Sequence, residues 1–302
     1  MAGLWEKYVK AHSVEEALLA LTTSPQPACP ISGGTDLLLE LQQGRHEPVL
    51  TLVDLTEIPE LTTLETRAGE LFLGAAVPVN RIATSELVEL HASALREAAD
   101  LIGGPQVRNT ATLGGNVAHA LPAADGTIAL LALEAQVEVA SLAGRHLIPV
   151  EGLFRGPGRS ALDLSRELIV GFLINRRKIG QASAFKRVMR AQGVALPILN
   201  VAARISREGQ QISQIGFAIG PSGQVPFRAR NTEAFLTGKH PESAVLAEAT
   251  AVLIAETHFR SSPQRASADY RRELAGWLLN QCLTTAWERT FTEHPVLNQP
   301  VA

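Results

Sequence analysis

Two glycine-rich turns carry the chemistry that this chain most visibly offers. Ser32-Gly33-Gly34-Thr35-Asp36 and Thr112-Leu113-Gly114-Gly115-Asn116 each set a Gly-Gly beside small hydroxyl or amide side chains. Glycine lets the backbone turn through positive φ and lets a ligand approach the main chain closely. Two such turns can aim their N–H groups at one pyrophosphate from both sides. Neither turn matches G-x-G-x-x-G, so the common dinucleotide fingerprint is absent. A cofactor with two phosphates, held by a different fold, is the leading expectation.

A few single residues add to this. Asp125, between Leu121-Pro122-Ala123-Ala124 and Gly126, reads either as the N-cap of the helix that follows or as a partner for a ribityl or ribose hydroxyl; both can hold together. Asp36 is awkward beside a pyrophosphate, because like charges repel, and capping its own helix suits it better. Lys186, in Phe185-Lys186-Arg187, sits at a strand centre. It reads either as a solvated strand residue or as a cation near a flavin ring, where it would stabilise negative charge on the reduced cofactor. The histidines are dispersed, with no H-E-x-x-H, so no metal site is expected. There is no G-x-S-x-G elbow and no Walker motif. No nucleophile–base arrangement is evident, and no catalytic side chain is assigned. Any chemistry is expected to belong to the cofactor.

The elements that must position these turns can be read locally. Ser13 and Glu16 form a capping box ahead of the first helix. A strand through Ala28-Cys29-Pro30-Ile31 runs into the first turn. Thr35 or Asp36 then caps a helix carrying Leu37, Leu38, Leu39 and Leu41, which Gly44 ends. Val49 to Leu55 reads as the next strand. The first turn therefore stands at a helix start, where free N–H groups favour a phosphate. From Thr62 to about Leu173, short strands alternate with helices around Ala92 to Leu101 and Thr127 to Leu133. Ala143-Gly144 reads as a hairpin turn. The second glycine turn lies in this stretch, so one ligand touching both would lie in a cleft between two domains. Beyond Arg176, three antiparallel strands (Ser183 to Arg190, Ile198 to Ser206, Gln211 to Ile219) precede a set of helices. The expected division is residues 1–56, 57–175 and 176–302. Disorder is expected, if anywhere, from Glu293 to Ala302.

Composition bounds the rest. The 302 residues are 46% hydrophobic and 19% charged, which suits a globular protein with a sizeable core. The net charge of −3 implies no general attraction to nucleic acid or to an anionic membrane. Apolar runs such as Ile128 to Leu133 are too short to span a bilayer. The N-terminal segment has no signal-peptide h-region, so the cytoplasm is the expected compartment. Only Cys29 and Cys282 are present, and two thiols cannot hold a four-cysteine iron–sulfur cluster. Two buried thiols are expected instead.

Taken in order, Ser32-Gly33-Gly34-Thr35-Asp36-Leu37, Val53-Asp54-Leu55, Gly103-Gly104-Pro105-Gln106-Val107-Arg108-Asn109, Thr112-Leu113-Gly114-Gly115-Asn116 and Pro122-Ala123-Ala124-Asp125 resemble the FAD-binding medium subunit of the molybdenum hydroxylases, the xanthine dehydrogenase and carbon monoxide dehydrogenase family. Phe154-Arg155-Gly156-Pro157-Gly158, Ser183-Ala184-Phe185-Lys186 and Arg265-Ala266-Ser267-Ala268-Asp269-Tyr270-Arg271 look similar too. The resemblance covers nearly the whole chain. It implies an α+β fold: a two-subdomain FAD-binding domain of PCMH/VAO type, then a three-stranded antiparallel sheet with a helix bundle. It implies non-covalent FAD, with Pro30, Ile31, Ser32, Gly33, Gly34, Thr35, Asp36 and Leu37 as one cofactor loop and Thr112, Leu113, Gly114, Gly115 and Asn116 as the other. Asp125 matches a cofactor-contacting aspartate, and Ile169 an aliphatic residue near the isoalloxazine. Lys186 matches a flavin-proximal lysine of relatives with purine activity. Ser32 stands where Ala is usual, and Leu121 replaces a common Ser. Ile102 occupies the place of a stacking aromatic in animal relatives. The implied role is electron transfer, as an oxidoreductase subunit of the cytoplasm. Electrons would come from a [2Fe–2S] small subunit and a molybdopterin large subunit and leave to NAD⁺ or another acceptor, within a dimer of heterotrimers. The alternatives are a self-sufficient FAD-dependent oxidoreductase of the same fold class, and a scaffold with vestigial loops.

Overall fold

The computed structural model of the chain describes residues 4–190, 196–263 and 265–292. The tail from Glu293 to Ala302 lies outside the described residues. Three larger sheets follow one another along the sequence, and a two-stranded one lies within the second stretch. The first is built from β1 (Lys7–Lys10), α1 (Val14–Thr23), β2 (Ala28–Ile31), α2 (Leu37–Gln42) and β3 (Thr51–Asp54), with strand order β1-β3-β2 and both pairings parallel. Parallel neighbours need crossovers, and the two short helices provide them. The capping box forms as read: Ser13 Oγ accepts from the Glu16 N–H at 3.0 Å, and Glu16 reaches back to the His12 N–H at 2.8 Å.

The second stretch comprises β4 (Leu64–Arg67), β5 (Glu70–Gly74), α3 (Val79–Ala83), α4 (Glu86–Leu101), α5 (Pro105–Thr110), α6 (Leu113–Ala118), α7 (Asp125–Ala132), β6 (Gln136–Ser141), β7 (Gly144–Pro149), β8 (Phe154–Gly156), β9 (Arg159–Ser160) and β10 (Glu167–Asn175). Its five-stranded antiparallel sheet runs β4-β5-β10-β6-β7. The β6–β7 hairpin turns where Ala143-Gly144 predicts, with Gly144 at φ 134°. Helix α7 is buried along its whole length. The unbroken apolar run Ile128-Ala129-Leu130-Leu131-Ala132 leaves it no solvent face, as a position packed against α4, α6 and two strands of the third sheet demands.

The third stretch comprises β11 (Gln181–Met189), β12 (Pro197–Glu208), β13 (Gln211–Gly220), β14 (Phe227–Arg228), α8 (Arg230–Leu236), α9 (Ser243–Glu256) and α10 (Ala268–Arg289). The sheet order is β11-β12-β13-β14. The two-residue β14 is a fourth strand beyond the three expected; two residues are too few to show an alternation. Strand β11 leans on α4 through a kink. Ala92 leaves helical geometry (φ −146°, ψ 51°). The freed Ala94 N–H donates to Ser183 Oγ at 3.0 Å, and Ser93 Oγ donates to the Ser183 carbonyl at 2.8 Å. One apolar core runs through the first two sheets and takes in Phe185, Ala202 and Ala218 of the third. A second core lies between the third sheet and α8–α10.

Candidate functional site

The first glycine turn leaves β2 and enters α2 with Gly34 at φ 65°, a conformation that favours glycine. Among the described residues, no hydrogen bond takes the backbone N–H of Gly33, Gly34, Thr35 or Asp36. Four successive amides without a protein partner, at a helix start that is half-buried up to the exposed Asp36, are available to donate to an anion. The hydroxyl oxygen of Ser32, at the rim of this turn, is buried and has no partner either.

The second turn is placed against the first. A Cβ built on Gly33 would lie 2.2 Å from the Thr110 carbonyl oxygen, so only a glycine allows the two backbones to meet. The two turns differ in what they offer. In the second, Gly114 N donates to Ala75 O at 2.8 Å, Gly115 N to Thr112 Oγ1 at 3.2 Å and Asn116 N to Thr112 O at 3.0 Å. Its amides are therefore largely engaged, contrary to the expectation that both turns present free N–H groups. What it presents is different. Gly115 is exposed, and a Cβ there would meet only Thr112 Oγ1, at 3.2 Å. Thr112 Oγ1 accepts from Gly115 and keeps its own O–H to donate. Asn116 Oδ1 is buried without a partner. Gly114, by contrast, is required by packing: a Cβ there would lie 2.6 Å from Ala75 O.

A diphosphate fits these groups. One side supplies unbonded amides; the other supplies a face without side chains, a hydroxyl donor and an amide. Both following helices are short, with six residues each, so the turn amides rather than a long helix dipole carry the attraction.

The remaining predicted residues divide. Pro30, Ile31 and Leu37 flank the first turn, with Ile31 and Leu37 in a small core beneath it. Leu113 and Ile169 are buried in the main core, Ile169 at a bulge of β10; Ile102 caps the C-terminus of α4, half-buried against the same core. Asp36 stands at the N-cap of α2 but makes no capping bond. Its carboxylate is exposed and turned toward His119, 3.9 Å from Nδ1, while Glu40 takes His119 Nε2 at 3.0 Å. At φ −98°, ψ −50° Asp36 is helical rather than extended, which removes the usual capping geometry. Asp125 is not an N-cap either. It is the first residue of α7, Ala124 holds the cap position, and the Asp125 carboxylate is buried against other partners.

Those partners are the functional-site candidates that the sequence reading misses. Arg187 Nη1 donates to Asp125 Oδ2 at 2.5 Å, and Asn200 Nδ2 donates to Asp125 Oδ1 at 2.6 Å. Strand alternation is the signal that finds Arg187. Ser183 bonds α4 and Phe185 enters the main core, so residue 187 faces the same way. Ala184 and Val188 pack into the C-terminal core. Lys186 shares their register, and no contact among the described residues joins it to either turn. Of the two thiols expected to be buried, Cys282 is, its Sγ donating to Ala184 O, whereas Cys29 is half-buried, with desolvation pushing its thiol up to about 11. Among the described residues no three His, Cys, Asp or Glu side chains gather to hold a metal, and no helix is long and apolar enough to cross a membrane.

Comparison with known proteins agrees with this arrangement. The family model described as "FAD binding domain in molybdopterin dehydrogenase" matches residues 4–174, and "CO dehydrogenase flavoprotein C-terminal domain" matches residues 183–286. The chain is 28% identical to the xanthine dehydrogenase FAD-binding subunit of Escherichia coli O157:H7, covering 92% of this chain and 95% of that one. It is 32% identical to the nicotine 6-hydroxylase medium subunit of Paenarthrobacter nicotinovorans, covering 94% and 98%. Among solved structures, it superimposes on a chain of the carbon monoxide dehydrogenase of Hydrogenophaga pseudoflava that lacks the Mo-pyranopterin moiety. The TM-score is 0.89 at 28% identity, over 96% of this chain and 99% of that one.

Proposed function

The chain belongs to the FAD-binding medium-subunit family of the molybdenum hydroxylases, and from that premise we propose that it is the electron relay of a multi-subunit enzyme. Its cofactor is FAD, and it is an oxidoreductase component. When bound, FAD supplies the capacity to take up and release electrons. The chain's own residues hold and shield it. We assign the pyrophosphate to Ser32–Asp36 on one side and to Thr112, Gly115 and Asn116 on the other. Asp125 takes a hydroxyl of the ribityl chain, and Ile102 and Ile169 border the ring. The observation that most supports this assignment is the contact of Gly33 with Thr110 and Ala111, which packs the turn that carries four unbonded amides against the residues leading into Thr112.

Two relatives are named as a medium chain and a medium subunit, words that imply larger and smaller companions. By analogy, this subunit receives electrons from a [2Fe–2S] chain that is itself fed by a molybdopterin chain, in a dimer of heterotrimers in the cytoplasm. It passes them to NAD⁺, a quinone, oxygen or another carrier. Substrate is chosen on the partner. This chain offers two cysteines in all, too few for a cluster of its own. Stopped-flow mixing of the co-purified complex with its reducing substrate tests the relay. The flavin band should bleach with or after the iron–sulfur bands, and the isolated chain with the same substrate should stay oxidised. Turnover by the isolated chain would replace the relay with a self-sufficient oxidoreductase.

A further inference from the structure

The Asp125 carboxylate is held from the opposite side of the domain boundary. Asp125 opens α7 in the FAD-binding domain, whereas Arg187 on β11 and Asn200 on β12 belong to the C-terminal sheet. The side chains of Asp125 and Arg187 are only 5% and 6% exposed, and Asn200 is fully buried. Several polar atoms around them are orphaned: Arg187 Nε, Asn200 Oδ1 and Asn116 Oδ1. Asn116 Oδ1 lies over Gly126, 2.8 Å from where a Cβ would stand, so it joins the same cluster. Buried polar atoms are bonded in the great majority of cases. A set of orphans of both kinds, donor and acceptor, around one carboxylate marks the place of a further polar group.

We propose that Arg187, supported by Asn200, is a positioning residue of the cofactor site: it balances the Asp125 charge and fixes the carboxylate so that its remaining lone pairs accept from an FAD hydroxyl, which makes cofactor binding depend on the docked C-terminal sheet. This rests on the assignment of Asp125 to the FAD site. A carboxylate offers about four lone-pair positions, and Arg187 and Asn200 occupy two. Burial pushes the Asp125 carboxyl up to about 6, opposed by the Arg187 charge, the Asn200 bond and the Arg187 bond. Among the described residues, no second cation near Asp125 shares that task. Arg204 on β12 and Arg228 on β14 meet Glu134 at the far end of α7, and Glu151 pairs with Arg230. His91 of α4 lines a small cavity with Leu133, also at that far end. His119, after α6, pairs with Glu40. Without Arg187 the carboxyl would protonate at higher pH, and a protonated carboxyl is a poorer acceptor.

The test is titration of the full-length chain, stripped of cofactor, with FAD from mildly acid to alkaline pH, read by flavin fluorescence. In the wild type the Kd should rise as pH falls below about 6. Arg187→Met should move that rise about one to three pH units higher. Arg187→Gln, which keeps a donor without the charge, should do the same if Arg187→Met does not fold. Arg187→Lys should restore the wild-type midpoint. Asp125→Asn should bind FAD more weakly with no inflection. If both uncharged variants weaken binding equally at every pH, or follow the wild-type profile, the positioning role is overturned while the loss in Asp125→Asn keeps the Asp125 assignment. If Asp125→Asn binds FAD as the wild type does throughout, the assignment itself falls and the proposal with it.

Discussion

Gly33 and Thr110 meet backbone to backbone: a Cβ added to Gly33 would stand 2.2 Å from the Thr110 carbonyl oxygen and 2.8 Å from the Ala111 Cα. This contact turns two local loops into one site. It packs the first turn against the residues that lead into Thr112, although four helices and three strands separate the two turns in sequence. Gly33→Ala should therefore force the turns apart. Overpacking of this kind costs about 1–3 kcal/mol. The FAD-free protein should unfold at lower temperature and FAD affinity should fall with it. Wild-type values for both would mean that the contact does not hold the site together.

Gly114 and Gly115 are adjacent but should respond differently. A Cβ at Gly114 strikes Ala75 O at 2.6 Å and Ala75 Cβ at 2.7 Å, so Gly114→Ala is expected to lower the melting temperature of the FAD-free form. A side chain at Gly115 meets only the Thr112 hydroxyl and otherwise projects outward. Gly115→Val should leave the melting temperature close to wild type and raise the FAD Kd at least about tenfold, or 1.4 kcal/mol. Gly34 separates the effects less cleanly. Its φ of 65° makes Gly34→Ala cost about 1–2 kcal/mol in folding as well. Equal FAD affinity in Gly115→Val and wild type would remove the second turn from the site.

Acid sensitivity should report the ion pairing at the edge of the FAD-binding domain. Arg145 on β7 grips Glu60 at 2.7 Å, with Glu138 at 3.2 Å. The Arg145 hydrogen bond, opposed by partial burial, holds the Glu60 carboxyl below the usual range. A carboxyl lowered in the folded state stabilises above its unfolded pKa and loses that contribution as pH falls through the folded value. The pair is partly exposed, so about 0.5–1 kcal/mol is expected. Glu60→Gln should melt below wild type at neutral pH, and the gap should close on acidification below the ordinary glutamate range. A gap that persists in acid would show that Glu60 acts through packing instead.

Much of this arrangement is legible locally. The capping box at Ser13, the hairpin at Ala143-Gly144, the strand running into Ser32-Gly33-Gly34 and the helix end at Gly44 all follow from short-range signals. What escapes is non-local. The Gly33–Thr110 contact depends on how two distant turns pack, which no local pattern encodes. The capping role expected of Asp36 fails because the residue is already helical and faces His119. The cation that reaches the Asp125 region is Arg187, because β11 alternates and its odd positions face the FAD-binding domain. Asn200 stands directly opposite Arg187 in the β11–β12 pairing, a register that the sequence pattern of the two strands does not specify. The short β1 strand, exposed along most of its length, carries too little periodicity to read, and its pairing with β3 places it.

The central claim is that two adjoining turns recognise a diphosphate, and flavin selectivity tests it most directly. The full-length chain, stripped of its flavin, should be titrated with FAD, FMN and riboflavin in parallel, with binding read by flavin fluorescence. FMN carries one phosphate and riboflavin none, so both lack the bridge between the residue 33–36 amides and the Thr112–Gly115 face. The account predicts saturation at one FAD per chain, with FMN and riboflavin bound at least about a hundredfold more weakly, or 2.7 kcal/mol. FMN binding as tightly as FAD, or no flavin binding at all, would contradict it.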